Sequence, residues 1–294
     1  MKNRFGRKAL LAATLLVGAA QVNADTLYSF NSNQIAVIDT LSLNTVSYIN
    51  ISGLDSGERL LGIDLRPTDG LIYGVTSSNN LYTFDTVSGV ATLKTALSGA
   101  SLTNQAIGVD FNPVADFQGN ASLRVVTGVG NNYAVNADTG VVGNLSGSNI
   151  GVGYTAVAYT NSNPGVTTST TGLYYVNAAT DSLHFLNSNF NEPNTVGGIT
   201  TVGSLGVDVL SANGFDIVSN GNAYALFNFD NGTLDSQLFS INLSTGAATR
   251  IATLDGTFNG LAGVSAVPEA ESYAMLLAGL GLLGLIQRRK NRMI

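Results

Sequence analysis

Three aspartates share one local setting: Gly62-Ile63-Asp64, Gly108-Val109-Asp110 and Gly214-Phe215-Asp216. Carboxylates brought to one level repel unless protons or a cation intervene, and a hard cation takes carboxylate oxygens readily. Asp64, Asp110 and Asp216 are therefore the candidate metal ligands, and calcium is the cofactor such a set suits. The alternative is that each aspartate hydrogen-bonds backbone beside its own turn. Other chemistry is thinly supplied. Cysteine is absent and His184, in SLHFLN, is the single histidine, which leaves no basis for zinc or thiol chemistry. A Ser-His-Asp arrangement would depend on His184, yet Leu183 and Phe185 flank it in the alternation of an outward-facing strand residue. The stretch GVGNNYAVNADTG lacks the Lys-Ser/Thr ending of a phosphate loop and reads as turns. Asn112-Pro113 marks a further turn, and Arg124 is placed to pair with Asp110 or Asp116. No catalytic residue is assigned.

The elements that must carry these aspartates repeat. Short alternating runs ending in turn residues recur as QIAVIDTLSLN, NLYTFDTVSG, NYAVNADTG, SLHFLNSNF and QLFSINLSTG. Their turn residues Asp39, Asp85, Asn136, Asn187 and Asn242 are spaced by about fifty residues. Asp or Asn followed by Ser or Thr and Gly suits a hairpin turn, since the side chain bonds the backbone and glycine accepts positive φ. A second series, LGIDLRP, IGVDFNP, AVAYTNS, NGFDIVS and LAGVSAV, runs ahead of the first and supplies a leading strand to each unit. In the alignment of these runs, Tyr159 and Ser265 stand opposite the three aspartates. The last leading strand, near residues 261–266, has no unit after it, while the strands after residue 25 have no leader. Ring closure resolves both, giving an all-β, five-bladed β-propeller in which N- and C-terminal strands complete one blade. Leading strands line a propeller's central channel, where Asp64, Asp110 and Asp216 could converge.

Both chain ends are of a different kind. Lys2, Arg4, Arg7 and Lys8 precede an apolar run from Ala9 to Ala20 and a small-residue tripeptide, Val22-Asn23-Ala24. Residues 1–24 read as a signal peptide, cut before Asp25 by signal peptidase. At the other end, Tyr273–Ile286 carries no charge. As a helix it would be about 21 Å long, against a hydrocarbon core of about 30 Å. Arg288, Arg289 and Lys290 follow as a stop-transfer cluster that holds the C-terminus on the cytoplasmic side. Short hydrophobic helices are thus expected at both ends. Between them, residues 25–266 carry five basic and 17 acidic residues, a net of −12. Nucleic acid is excluded as a partner, because phosphate neutralisation needs clustered Lys and Arg. Without disulfides, an exported domain must be held by packing, with ions as a further source of stability.

Val267-Pro268-Glu269, a polar spacer, YAMLLAGLGLLGLI and the RRK end together resemble the PEP-CTERM sorting signal of exopolysaccharide-producing Gram-negative bacteria, with Ala270 where that pattern has proline. The resemblance implies recognition by an exosortase-type membrane transpeptidase and places the sorting tail at 267–294. GVDFNPVADFQGNASLRVVTGVGNNYAVNADTG, AYTNSNPGVTTSTTGLYYVN and TVGSLGVDV resemble segments of the bacterial family called domain of unknown function 4394, across most of residues 25–266. That resemblance implies fold and location and no reaction.

These readings define an exported chain, transiently anchored at its C-terminus and then sorted to the cell surface or released. They favour a non-catalytic binding or matrix protein whose partner could be extracellular polysaccharide. The competing expectation is a carboxylate- or calcium-dependent hydrolase or lyase acting on extracellular glycans or lactones, which requires two positioned carboxylates in an open pocket.

Overall fold

A computed structural model describes residues 24–265, apart from 32, 44–45, 101, 103–105, 144–148, 187–197, 231 and 233, together with 279–280. The described region folds into five antiparallel sheets. The first holds β1 (Thr26–Phe30), β2 (Gln34–Asp39) and β3 (Val46–Asn50). The second holds β4 (Leu60–Leu65), β5 (Ile72–Thr76), β6 (Asn80–Phe84) and β7 (Ala91–Ala96). In the third, β8 (Ile107–Phe111) leads through the short helix α1 (Pro113–Phe117) to β9 (Ser122–Thr127) and β10 (Asn132–Asn136). The fourth holds β11 (Tyr154–Tyr159), β12 (Leu173–Asn177), β13 (Ser182–Leu186) and β14 (Thr200–Ser204). β15 (Ser211–Ile217), β16 (Ala223–Asn228), β17 (Ser236–Ile241) and β18 (Ala248–Leu254) form the fifth, after which β19 (Asn259–Val264) returns to the first.

That return closes the ring. β19 pairs antiparallel with β1, Thr26 opposite Val264 and Leu27 opposite Gly263, so the first blade has the order β19-β1-β2-β3. The leading strands β19, β4, β8, β11 and β15 pack side by side around the channel, with β15 against β19 and β19 against β4. In the third blade the fourth strand is reduced, among the described residues, to one bridge, Val135 to Val142.

Burial follows position in the blade. An inner or middle strand lies between the neighbouring blades on both faces, so β5 and β8 are buried at every residue and are apolar apart from Thr76 and Asp110. Outer strands meet water: β7 runs Ala-Thr-Leu-Lys-Thr-Ala with only Ala91 buried. Each core cluster spans one blade-to-blade interface. Leu27, Ala36 and Ile38 of the first blade pack with Leu226 and Leu238 of the fifth, while Phe30 and Ile35, on the opposite face, pack with Ile63 and Phe84 of the second. Strand alternation therefore assigns successive side chains to two different interfaces.

The repeated Asp/Asn turns lie between the third and fourth strand positions. Asp85 Oδ1 accepts the Val87 and Ser88 N–H groups, and Asn136 Oδ1 accepts those of Asp138 and Thr139. Asn187 lies outside the described residues. The glycine that ends the turns of Asp85 and Asn136 has a role the turn alone does not reveal. A Cβ on Gly89 would lie 2.0 Å from the Asn50 carbonyl oxygen of the first blade, and one on Gly140 2.0 Å from that of Ala96 in the second. These glycines seat one blade's turn on the previous blade's outer strand, and Ser98 N–H donates to the Gly140 carbonyl at that contact.

The expected terminal helices fall outside the described residues except for Gly279 and Leu280. No described helix is long and apolar enough to cross a membrane.

Candidate functional site

Asp64, Asp110 and Asp216 sit near the ends of β4, β8 and β15 and are 3%, 1% and 4% exposed. One carboxylate oxygen from each lies within 4.8 Å of the others. Glycine makes the convergence possible, because the inner strands approach too closely for a side chain two residues before the aspartate. A Cβ on Gly108 would stand 2.6 Å from Ala156 Cα, and one on Gly214 2.6 Å from the Gly260 carbonyl carbon.

Each carboxylate also reaches the next blade around the ring. Asp64 Oδ2 accepts the Phe111 N–H at 2.7 Å, Asp110 Oδ1 accepts the Tyr159 N–H at 3.0 Å, and Asp216 Oδ2 accepts the Gly263 N–H. These bonds join strands of different blades, while Asp64 and Asp216 also bond the neighbouring Leu65 and Ile217 N–H groups of their own strands. The same register corrects the alignment with Tyr159 and Ser265. Because Tyr159 N–H meets Asp110 as Phe111 N–H meets Asp64, the counterparts of the aspartates in β11 and β19 are Ala158 and Ala262, both fully buried. The channel level thus carries three acids and two alanines.

The electrostatics follow from this enclosure. Burial, followed by the charge of Asp216, pushes Asp64 well above the ordinary carboxylate range; burial, followed by the charges of Asp64 and Asp216, does the same to Asp110. Burial pushes Asp216 up to about 7, against the pull of the Gly263 and Ile217 N–H groups. One or two N–H groups per carboxylate are too little to offset full desolvation. The cluster therefore holds protons near neutral pH or takes a cation. Oxygens that share one ion at about 2.4 Å must lie within about 4.8 Å of one another, a condition these three meet.

Arg124 does not follow the expected pairing. It is buried against the fourth blade, with Nε 3.4 Å from Tyr159 Oη and a guanidinium nitrogen 3.2 Å from Asn132 Oδ1. Asp116 belongs instead to Arg66, which the sequence reading passed over. Arg66 Nε donates to Asp116 Oδ1 at 2.8 Å, and its other nitrogens reach Asp138 Oδ1 and Oδ2 at 2.8 and 3.1 Å. Thr68 donates through N–H and Oγ1 to Asp116 Oδ2, and the guanidinium carbon lies 5.6 Å from the Tyr73 ring centre. Asn112-Pro113 opens α1 as N-cap and first residue, which delivers Asp116 to this arginine. The result is a staple between the second and third blades. Bonding to Arg66 holds Asp138 down at about 2.

His184 is half-buried on β13. Its Nε2 lies 2.9 Å from Ser182 Oγ, its Nδ1 3.4 Å from Thr201 Oγ1, and its ring meets the edge of Tyr154. Burial lowers its pKa. The adjacent Asp181 is turned to the Val209 N–H, so a Ser-His-Asp relay does not form among the described residues.

The ring seal contains a second group that sequence reading missed. Asp25, 2% exposed, accepts from Asn220 Nδ2 at 2.8 Å, Asn222 Nδ2 at 2.9 Å and Tyr224 Oη at 2.8 Å. Asn220 N–H donates at 3.1 Å to Ser265 Oγ. One residue in the β15–β16 turn thus holds both ends of the propeller. The sequence signal was slight, an Asn-Gly-Asn after the strand of Asp216.

Comparison with known proteins adds the following. No curated protein matches the chain. Among solved structures, TolB from Acinetobacter baumannii is similar at 12% identity and a TM-score of 0.45, over 80% of this chain and 54% of that one. Regucalcin, a calcium-binding protein from Agrobacterium tumefaciens, is similar at 14% identity and 0.41, over 76% and 68%. A Bacteroides thetaiotaomicron protein of unknown function stands at 14% and 0.42, over 79% and 58%. The chain spans about half the length of the TolB chain. Residues 266–290 match the PEP-CTERM protein-sorting motif, beginning one residue after Ser265. Residues 26–262 match the domain of unknown function family DUF4394, and the chain belongs to that family.

Proposed function

We propose that this protein is an exported, surface-sorted, non-catalytic binding or matrix component, delivered by an exosortase-type sorting system. The observation that carries the reading is the PEP-CTERM motif at 266–290, which begins where β19 completes the ring. Export through signal peptidase, a transient membrane anchor in the tail and an extracellular polysaccharide partner belong to the same proposal. The sealed carboxylates support it against the hydrolase reading: at 1–4% exposure they offer no surface on which a glycan or lactone could lie. Mature protein collected outside cells of its producer should lack the peptide from Tyr273 to Ile294. Mass spectrometry that finds this peptide intact on released protein would overturn processing.

Asp64, Asp110 and Asp216 are proposed as an internal cation site that adds stability in place of disulfides. Three carboxylate oxygens within one ion's reach, in a chain with no cysteine, support it. Calcium should raise the melting temperature at pH 7.5 relative to chelator. The gain follows the binding relation, about 2.7 kcal/mol at a hundredfold excess over the dissociation constant. Asp110→Asn should reduce it. A wild-type melting curve indifferent to calcium would leave the cluster as shared protons only.

A further inference from the structure

In each blade the leading strand runs in one direction, so the two ends of the propeller differ. One end carries the turns that follow the leading strands, such as 66–71 and 218–222, with the hairpin turns 40–45 and 85–90. The opposite end carries the loops that precede them, such as 205–210, with 229–235. Asp25 precedes β1 and Ser265 follows β19, and both are bound to Asn220 in the 218–222 turn. Both chain ends therefore leave the domain at one corner of the first end.

Tether length turns this into an orientation. Seven residues, 266–272, separate Ser265 from the uncharged run Tyr273–Ile286. Fully extended, seven residues span at most about 25 Å. A tether so short keeps the corner at Ser265, and with it this end of the propeller, next to the bilayer that holds the tail.

The near end also has the tips for contact. Asp39 Oδ1 accepts the Leu41 and Ser42 N–H groups, as Asp85 Oδ1 accepts those of Val87 and Ser88. These bonds fold the carboxylates back into their turns and leave Leu41 59% and Val87 89% exposed at the tips. In the third and fifth blades the corresponding tips are Asp138 and Ser244. Among the described tips, the apolar ones thus occur in the first and second blades, the first being the blade from which the tail departs.

We propose that the end of the propeller bearing Asn220, Leu41 and Val87 is the membrane-facing surface of the tail-bearing protein, seated against lipid headgroups while its opposite end, marked by Leu234, faces away. This rests on the reading of the tail as a membrane anchor. Because the chain has no cysteine, Val87→Cys and Leu234→Cys each give a single labelling position on a residue at least 80% exposed. The full chain carrying either label is reconstituted with phosphatidylcholine vesicles containing a nitroxide headgroup quencher. The expected result is co-flotation of both variants, with the Val87 label quenched severalfold more than the Leu234 label. Co-flotation with equal quenching, or with Leu234 quenched more, overturns the orientation and leaves the anchor intact. Failure to co-float overturns the anchor and the orientation with it.

Discussion

Asp110 shows how much one carboxylate's meaning depends on its surroundings. In the strand it is an ordinary acid; in the channel it lies beside Asp64 and Asp216, with a single N–H donor from the next blade. Raised folded-state values set the sign of the pH dependence. The folded cluster retains protons that the unfolded chain releases above about 4, so its contribution is fully present below that pH. It is lost as pH rises through the folded values, about 7 for Asp216. In chelator, the melting temperature of the wild-type protein should therefore fall between pH 5 and pH 8. Asp110→Asn retains an oxygen for the Tyr159 N–H while removing a charge, so it should flatten that fall and exceed wild type at pH 8. A wild-type curve that rises over the same interval would contradict the enclosure of these acids. With calcium the dependence should reverse, because the ion binds the ionised form.

Among the elements, the joints between blades carry the most exposed liabilities. Arg66 holds Asp116, whose side chain is fully buried, so Arg66→Met strands a charge and should cost about 3–5 kcal/mol. Arg66→Lys should recover little, since a point charge cannot serve Asp116 and both oxygens of Asp138 in one plane. Chemical denaturation of the two variants measures both statements; a Lys variant as stable as wild type would argue against the bidentate staple. The turn glycines permit a sharper comparison. Gly70 and Gly140 have nearly the same φ, +70° and +73°, but Gly70 has open space where a Cβ would go and Gly140 has the Ala96 carbonyl. Gly70→Ala should cost about 1–2 kcal/mol from backbone conformation alone. Gly140→Ala adds a clash with backbone that cannot move without parting two blades, and should cost clearly more. Equal losses would mean that the turn does not bear on the previous blade.

For the whole molecule, closure is the decisive property. A chain ended at Gly256 lacks β19, leaving β1 as an open inner edge and uncovering Leu27 and Phe30. It should lose several kcal/mol relative to a chain ended at Ala266. Equal melting temperatures would refute the seal. Asn220→Ala is the milder test. It removes the Nδ2 bond to Asp25 and the Oδ1 bond that shapes the turn whose backbone N–H serves Ser265, so hydrogen exchange should accelerate in both β1 and β19 while the third blade keeps its protection. Loosening of one strand alone would show that the two ends are held independently.

Much of this was legible in order along the chain. Alternating apolar runs, Asp/Asn-to-Gly turns at about fifty-residue spacing and an unmatched strand at each end sufficed for five blades and their closure, because strand period and turn chemistry are local properties. The C-terminal sorting motif declared itself by its short motif, apolar run and basic end for the same reason. Gly-x-Asp was visible three times, and its convergence could be expected from the repeat. Tertiary structure alone decided which partners those residues meet. The shifts, of one residue and of three, that put Ala158 and Ala262 rather than Tyr159 and Ser265 at the aspartate level depend on inter-blade register. Arg66 finds Asp116 and Asp138 across fifty and 72 residues, and Asn220 finds Asp25 across 195. No local pattern encodes such pairs, since they exist only once the ring has brought neighbouring blades to packing distance and removed water from between them.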